Sequence, residues 1–327
     1  MAAPQEDMLD QDVERSSERR EFFRSALGAA AVAATGVAAV SIGAIASAAT
    51  VADSDILNFA LQVEYLLAQY YGVASGVGPL AAGQLTAGST ATGTNVAGAA
   101  TGAAAVSFTD ANVAQIVREI ALEKAAHVAL LRTATGTDVA AQPAIDLGVT
   151  ASGAFSTAMR AAGVITGSTS TFDVYANDGN FLLGAFLLED VITSAYRAIL
   201  SSVGDATNRE SVAGLLGASA YHASAIRTLL YAKGSVSGST LRANADAISD
   251  ARDKLDGVPG DDDQGISPAT VDAKLVSNIP PAGADGLAFG RGSAFVLNIL
   301  YLNSASVSKG GFYPAGVNGT IVASSQN

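Results

Sequence analysis

The order of apolar and polar residues predicts four long helices between residues 53 and 234. The first is apolar almost all round, which is typical of a helix in the middle of a bundle. The other three carry broad apolar faces with the spacing of a helix. The predicted helices cover residues 53–75, 107–136, 180–200 and 209–234.

Residues at the ends of these segments have the chemistry of helix caps. Asp53 or Ser54 can cap the first helix, and Thr109 can cap the second, because their side-chain oxygens can accept from free backbone N–H groups. Gly136 and Gly234 can end the second and fourth helices. The sequence therefore contains end signals for the first, second and fourth predicted helices.

One polar residue interrupts the apolar face of each predicted helix. These residues are Glu64, His127, Glu189 and His222. The residues three and four positions away from Glu64 are all apolar, so its carboxylate should point into the core. An unpartnered carboxylate there would cost several kcal/mol or take up a proton. We therefore expect a cation beside it.

The remaining segments are shorter or irregular. Residues 72–106 are a low-complexity run of Gly, Ala, Thr and Ser, which predicts a surface loop. Short helices are expected at about 156–162, at 240–256 and around the sequence "GSAFVLNILYL". The acidic run Asp261, Asp262 and Asp263 is typical of a solvated turn and lacks the spacing of an EF-hand.

Composition narrows the class of protein. The 327 residues are 49% hydrophobic and only 6% aromatic, which favours an all-α fold. Cysteine is absent, so there is no disulfide partner. The formal charge of -12 argues against nucleic acid and against an anionic membrane surface as partners. Sequence patterns for serine hydrolases, phosphate-binding loops and dinucleotide sites are also missing.

The first 48 residues differ from the rest. Paired arginines, Arg19 and Arg20, precede Phe22 and an Ala/Gly-rich apolar run that ends in Ala-Ser-Ala at 46–48. This resembles a twin-arginine export signal, although Phe, Arg and Glu replace the usual Leu, Lys and Ser or Thr at positions 23, 24 and 18. The resemblance implies export to the periplasm or the outside of the cell, with residues 1–48 removed.

The alternative interpretation of that segment is an uncleaved anchor. The run from Ser25 to Ala46 is long enough to span a bilayer. Its Ala/Gly composition and the cleavage pattern favour a signal peptide. Contact with a membrane is therefore expected only if the segment remains attached.

The helices also resemble a known family. The sequences "LNFALQVEYLLAQYY", "HVALLRTATG", "FLLGAFLLEDVITSAY", "AYHASAIRTLL" and "FGRGSAFVLNILYL" are similar to the ferritin-like family that includes desiccation-related proteins. The resemblance implies a ferritin-like four-helix bundle at 49–235, with a long low-complexity crossover loop. It also implies additional C-terminal helices at 236–327, packed on the bundle.

Ferritin-like carboxylate proteins hold two metal ions with one Glu from each of two helices and a Glu-x-x-His pair from each of the other two. The resemblance therefore implies metal ligation by Glu64, His127, Glu189 and His222. Lys124 and Ser219 stand where the two pairs would have Glu. Two carboxylates neutralise two divalent ions poorly, so we expect either no cofactor or one divalent ion, Fe, Mn or Zn.

Neighbouring residues allow further alternatives. Lys124 shares an apolar stripe with His127, so its ammonium can reach Glu64 or Glu189 in place of a metal. Glu119 or Glu123 could compensate for a missing ligand, Glu123 because it lies four residues before His127 on nearly the same face. Both are nevertheless expected to point outward. The tyrosines near the site can be redox groups, but they are more often core aromatics; they are Tyr65, Tyr71, Tyr196 and Tyr221.

Two functional hypotheses follow from these residues. In the first, the protein is an exported, stress-related bundle with a degenerate metal site and no turnover. In the second, Glu64, His127, Glu189 and His222 hold one Fe or Mn ion that reacts with oxygen or peroxide. The two missing acids favour the first hypothesis, and a homo-oligomer is left open.

Overall fold

Four long helices form the centre of the structure, a computed structural model that describes residues 51–257 and 263–327. The predicted signal segment 1–48 and the residues Asp261 and Asp262 lie outside the described residues. The bundle helices are α1 (Asp53–Ala74), α2 (Ala111–Thr135), α4 (Asp178–Ile199) and α5 (Ala206–Lys233). They agree with the predicted segments to within a few residues, which confirms the all-α fold.

Shorter elements surround the bundle. The additional helices are α3 (Ala154–Ala161), α6 (Leu241–Asp256) and α7 (Ser293–Tyr301). Strand β1 (Ala100–Thr101) pairs in parallel with β2 (Ile145–Asp146), and β3 (Ala269–Val271) pairs antiparallel with β4 (Lys274–Val276). The predicted short helices are thus found close to where the sequence placed them.

The bundle helices associate as two antiparallel pairs, α1 with α2 and α4 with α5. The amide of Asn58, near the start of α1, donates to the carbonyl of Asp138, just beyond the end of α2. Lys233, at the end of α5, lies 3.6 Å from the carboxylate of Asp178, at the start of α4. Each pair is therefore closed at its ends by polar contacts.

The two long connections have different roles. The low-complexity loop leaves α1 and returns to the same end of the bundle, where Val106 donates to the carbonyl of Ala74. The backbone of Thr109, before α2, bonds to Asp178 at the start of α4, so these two helices begin at the same end. The segment 136–177 must therefore run back along the bundle. The long crossover was predicted for the low-complexity loop at 72–106. In the structure, residues 136–177 form it instead.

Two cap assignments differ from the prediction. Asp110, not Thr109, caps α2, because its carboxylate accepts from the backbone of Asn112. Asp53 does not cap α1; its carboxylate accepts from the backbone N–H groups of Gly204 and Asp205, just before α5. Thr109 and Asp53 can both form caps. Tertiary contacts occupy them instead, because the Thr109 hydroxyl donates to Asp178 and Asp53 accepts from the segment before α5.

Helices α1 and α4 are buried on nearly all sides, whereas α2 and α5 keep exposed outer faces. The C-terminal part of the chain covers α1 and α4: Tyr313 donates to the carbonyl of Gln62, and Arg252 donates to the carbonyl of Phe186. Residues 51–327 form one compact unit. In the described part of the chain, no helix combines the length and hydropathy that a membrane span requires.

A buried arginine and aspartate network joins the bundle to the C-terminal part. Asp190 on α4 accepts from Arg227 at 2.8 Å and from Arg252 at 3.0 Å. Asp263 lies 2.7 Å from both Arg252 and Arg291. The predicted solvated turn was therefore wrong for Asp263, because the arginines that bury it lie on distant segments.

Candidate functional site

Lys124 occupies the centre of the bundle. Its Nζ lies 3.1 Å from Oε2 of Glu189 and 3.7 Å from Oε1 of Glu64. All three side chains are fully buried. The contacts are ion pairs without hydrogen-bond geometry, so Coulomb attraction holds them together. The predicted reach of Lys124 to these carboxylates is confirmed.

The same oxygen of Glu64 has two further partners. Tyr196 donates to it at 2.8 Å, and Nδ1 of His127 lies 3.3 Å from it. Burial alone would raise the pKa of Glu64, but Lys124, then His127, and the hydrogen bonds outweigh it and lower this pKa to about 2. The cluster therefore holds Glu64 as a carboxylate.

Tyrosines next to the carboxylates stay neutral. Burial raises the pKa of Tyr196 well above 10, and the negative charge of Glu64 adds to this effect. Burial and then Glu189 raise the pKa of Tyr71 in the same way. The prediction that the site tyrosines belong to the core is confirmed for Tyr65, Tyr71 and Tyr196, but it was wrong for Tyr221, which is 79% exposed.

The second histidine, His222, contacts Glu123, a residue that was predicted to point outward. Nε2 of His222 lies 2.5 Å from Oε2 of Glu123, whose side chain is about half exposed. The His222 ring stacks on that of His127, with centroids 5.8 Å apart and an angle of 22°. Glu123 precedes His127 by one helical turn, and this spacing was the signal for its place at the site. Glu119 is exposed, as predicted.

The arrangement does not fit a metal ion. The two buried carboxylates converge on an ammonium, and a divalent cation beside that ammonium would be repelled. Ser219 is buried with an unpartnered hydroxyl and supplies no carboxylate. Within residues 51–257 and 263–327, no three His, Asp or Glu side chains are grouped in a way that could hold a metal. Metal ligation by Glu64, His127, Glu189 and His222 stays a prediction.

Comparison with known proteins gives the family. The model of a family described as "Ferritin-like domain" matches residues 52–232, which include the four bundle helices except for the last residue of α5. The chain belongs to this family. The matched region also contains Lys124 and Ser219, so the departures from the Glu-x-x-His pattern lie inside a clear member of the family.

A curated relative covers more of the chain. The desiccation-related protein PCC13-62 from Craterostigma plantagineum is 27% identical over 260 residues. The match covers 73% of this chain and 74% of the relative, so the similarity extends beyond the bundle. A search of the solved structures found no significant match.

Acid unfolding tests the charge of Glu64. Its pKa is about 2 in the folded protein against an ordinary value of 4.5, so the unfolded chain takes up this proton first as the pH falls. The stability due to Glu64 is present above about pH 4.5 and is lost towards pH 2; the difference corresponds to about 3 kcal/mol. We expect Glu64→Gln to flatten this dependence in denaturant unfolding curves measured across the range.

The comparison must be made as a difference between the variant and the parent protein. Burial raises the pKa of Asp256 to about 6 against the opposing charge of Arg291, so Asp256 destabilises the fold as the pH rises from 3.8 to 6. Both proteins share this contribution, and it cancels in the difference. Parallel pH profiles for the two proteins would contradict an ionised Glu64.

Proposed function

We propose that this protein is an exported, stress-related ferritin-like bundle in which the ammonium of Lys124 takes the electrostatic place of a metal centre. The observation that carries this proposal is the position of Lys124 Nζ between the buried carboxylates of Glu64 and Glu189. On this view the cluster stabilises the bundle, and the protein acts without turnover.

The charges of the substituted residues support this proposal. Compared with two Glu-x-x-His pairs, a Lys at position 124 and a Ser at position 219 make the site more positive by about three charges. Two divalent metal ions would have brought about four. The side chains therefore replace most of the positive charge that the family places there, and Glu64 and Glu189 keep a counter-charge.

A role in dehydration stress is supported by the relative, whose name is desiccation-related. A covalently attached ammonium cannot be removed by chelators or by changes in free metal concentration. We infer that the bundle keeps its charge balance through such changes. A protein that must stay folded while the composition of its surroundings changes would benefit from this independence.

Export is supported by the N-terminal sequence. The paired Arg19 and Arg20, the apolar run and the Ala-Ser-Ala pattern at 46–48 together are typical of a cleavable twin-arginine signal. The compact unit begins at Val51, just after the proposed cleavage site. The periplasm or the outside of the cell is therefore the proposed location.

Elemental analysis of the exported protein tests both parts of the proposal. The protein is purified without chelators or added metal and sequenced from its N-terminus, which we expect at Ala49. We expect Fe, Mn and Zn well below one ion per chain, in the parent protein and in His127→Ala alike. We also expect no peroxide consumption and no oxidation of ferrous iron.

A double variant supplies the positive control. Lys124→Glu with Ser219→Glu restores both Glu-x-x-His pairs, and we expect it to acquire metal when it is supplied with ferrous or manganous ions. One Fe, Mn or Zn ion per parent chain, lost in His127→Ala, would instead support the mononuclear oxidoreductase. An N-terminus at Met1 would contradict cleavage of the signal.

A further inference from the structure

The outer face formed by α2 and α5 is the side of the bundle that the described chain leaves uncovered. Helices α1 and α4 are enclosed, whereas α2 and α5 alternate between buried and exposed positions along their whole lengths. The Glu123–His222 contact and the stacked histidine rings join α2 and α5 side by side. Their outer surfaces therefore form one continuous face.

Apolar side chains are exposed on this face. Leu122 is 53% exposed and Leu130 is 41% exposed on α2, and Tyr221 is 79% exposed on α5. The other exposed positions between them are occupied mainly by small residues, which let another helix approach closely; they are Ala126, Ala129, Ala213, Gly214 and Gly217. Large apolar side chains among small ones are typical of a packing surface.

The charge of the face limits its partners. Between 122 and 134 on α2 and between 213 and 232 on α5, which the structure describes throughout, Glu123 is the one exposed charged side chain. A nucleic acid or an anionic membrane would require lysines and arginines. The one partly exposed cation in these ranges is Arg132, whose guanidinium already bonds to Tyr65 and to the carbonyl of Thr86. Removing residues 1–48 leaves 23 acidic and 14 basic residues. Two copies of such an acidic chain repel each other least where exposed charges are few.

The size of the face suits a dimer. Residues 213–232 span about 30 Å along α5, and two adjacent helices are about 20 Å wide. Residues 122–134 span about 20 Å along α2, so the two stretches together have a projected area of about 500 Å². Over both partners this is about 1,000 Å², at the lower end for a specific interface. The carboxylate of Glu123 would be covered in such a contact, and His222 already supplies its partner.

We propose that the α2–α5 face binds a second copy of this chain in a two-fold symmetric dimer. In this dimer Tyr221 and Leu122 pack against the same helices of the partner. The contact covers Glu123, the half-exposed partner of His222. The proposal is independent of whether the cluster holds a metal.

Light scattering coupled to size-exclusion chromatography tests the dimer on the chain that begins at Ala49, with the full chain in parallel. We expect the parent protein to elute as a dimer at micromolar concentration. Tyr221→Glu and Leu122→Glu should each weaken association by at least about 100-fold, because each substitution occurs twice in a symmetric interface. Circular dichroism should show unchanged helix content, since both side chains point outward.

Leu275→Glu is the matched control, because Leu275 on β4 is 77% exposed, close to the value for Tyr221. It should leave the dimer intact. The chain has no cysteine, so Tyr221→Cys and Leu275→Cys each carry a single thiol, and a short bismaleimide should link two chains only in the first. A monomeric parent protein, or a dimer that only the Leu275 variants affect, would overturn the proposal.

Discussion

Replacing Lys124 by methionine is expected to lower the free energy of unfolding by about 3–5 kcal/mol. The substitution keeps the volume of the side chain but leaves Glu64 and Glu189 together in the core without the positive charge of the lysine. Uncompensated buried charges of this kind are far more costly than the loss of an exposed pair. Denaturant unfolding at neutral pH, followed by circular dichroism, measures the effect.

Two further variants show whether the loss comes from charge. Lys233→Met removes the other lysine that pairs with α2, through Asp110, but this pair is partly exposed, so we expect a much smaller loss. Adding Glu189→Gln to Lys124→Met should recover part of the stability, because one of the two unpaired charges is then removed. A Lys124→Met protein as stable as the parent would refute the electrostatic role of the lysine.

The second large effect is expected at Asp190. Asp190→Asn changes the shape of the side chain little, but it removes the negative charge that Arg227 and Arg252 share. Both guanidinium groups are fully buried, and Asp263, which also pairs with Arg291, is left as the counter-charge of Arg252. We expect a loss of about 3–5 kcal/mol in the free energy of unfolding.

Limited proteolysis gives this prediction a structural readout. Arg227 also donates to the carbonyl of Gln264, which precedes β3, and to the carbonyl of Asn278, which follows β4. We therefore expect cleavage near β3 and β4 to become faster in Asp190→Asn. The conservative change Asp110→Asn at the α2 cap should leave it unaltered, and equal rates in all three proteins would contradict a role for the network in holding the C-terminal part.

The sequence by itself determined the helices and the centre of the site. Helical spacing and an apolar pattern are local properties, so the four bundle helices could be bounded to within a few residues. The same spacing placed Glu64, His127, Lys124 and Glu189 on inward faces. Because the interior of a bundle is narrow, inward residues at the same level had to meet.

Only the tertiary structure decided which charges pair across distant segments. Glu123 and Asp263 were predicted to be solvated acids. Their partners lie far away in the sequence: His222 for Glu123, and Arg252 and Arg291 for Asp263. Tyr221 looked like a core aromatic but lies on an outer face. In each case the decisive partner, or the absence of one in the described chain, depends on how the helices rotate and which segment covers them. The local sequence pattern determines neither the rotation of a helix about its axis nor the segment that covers each face.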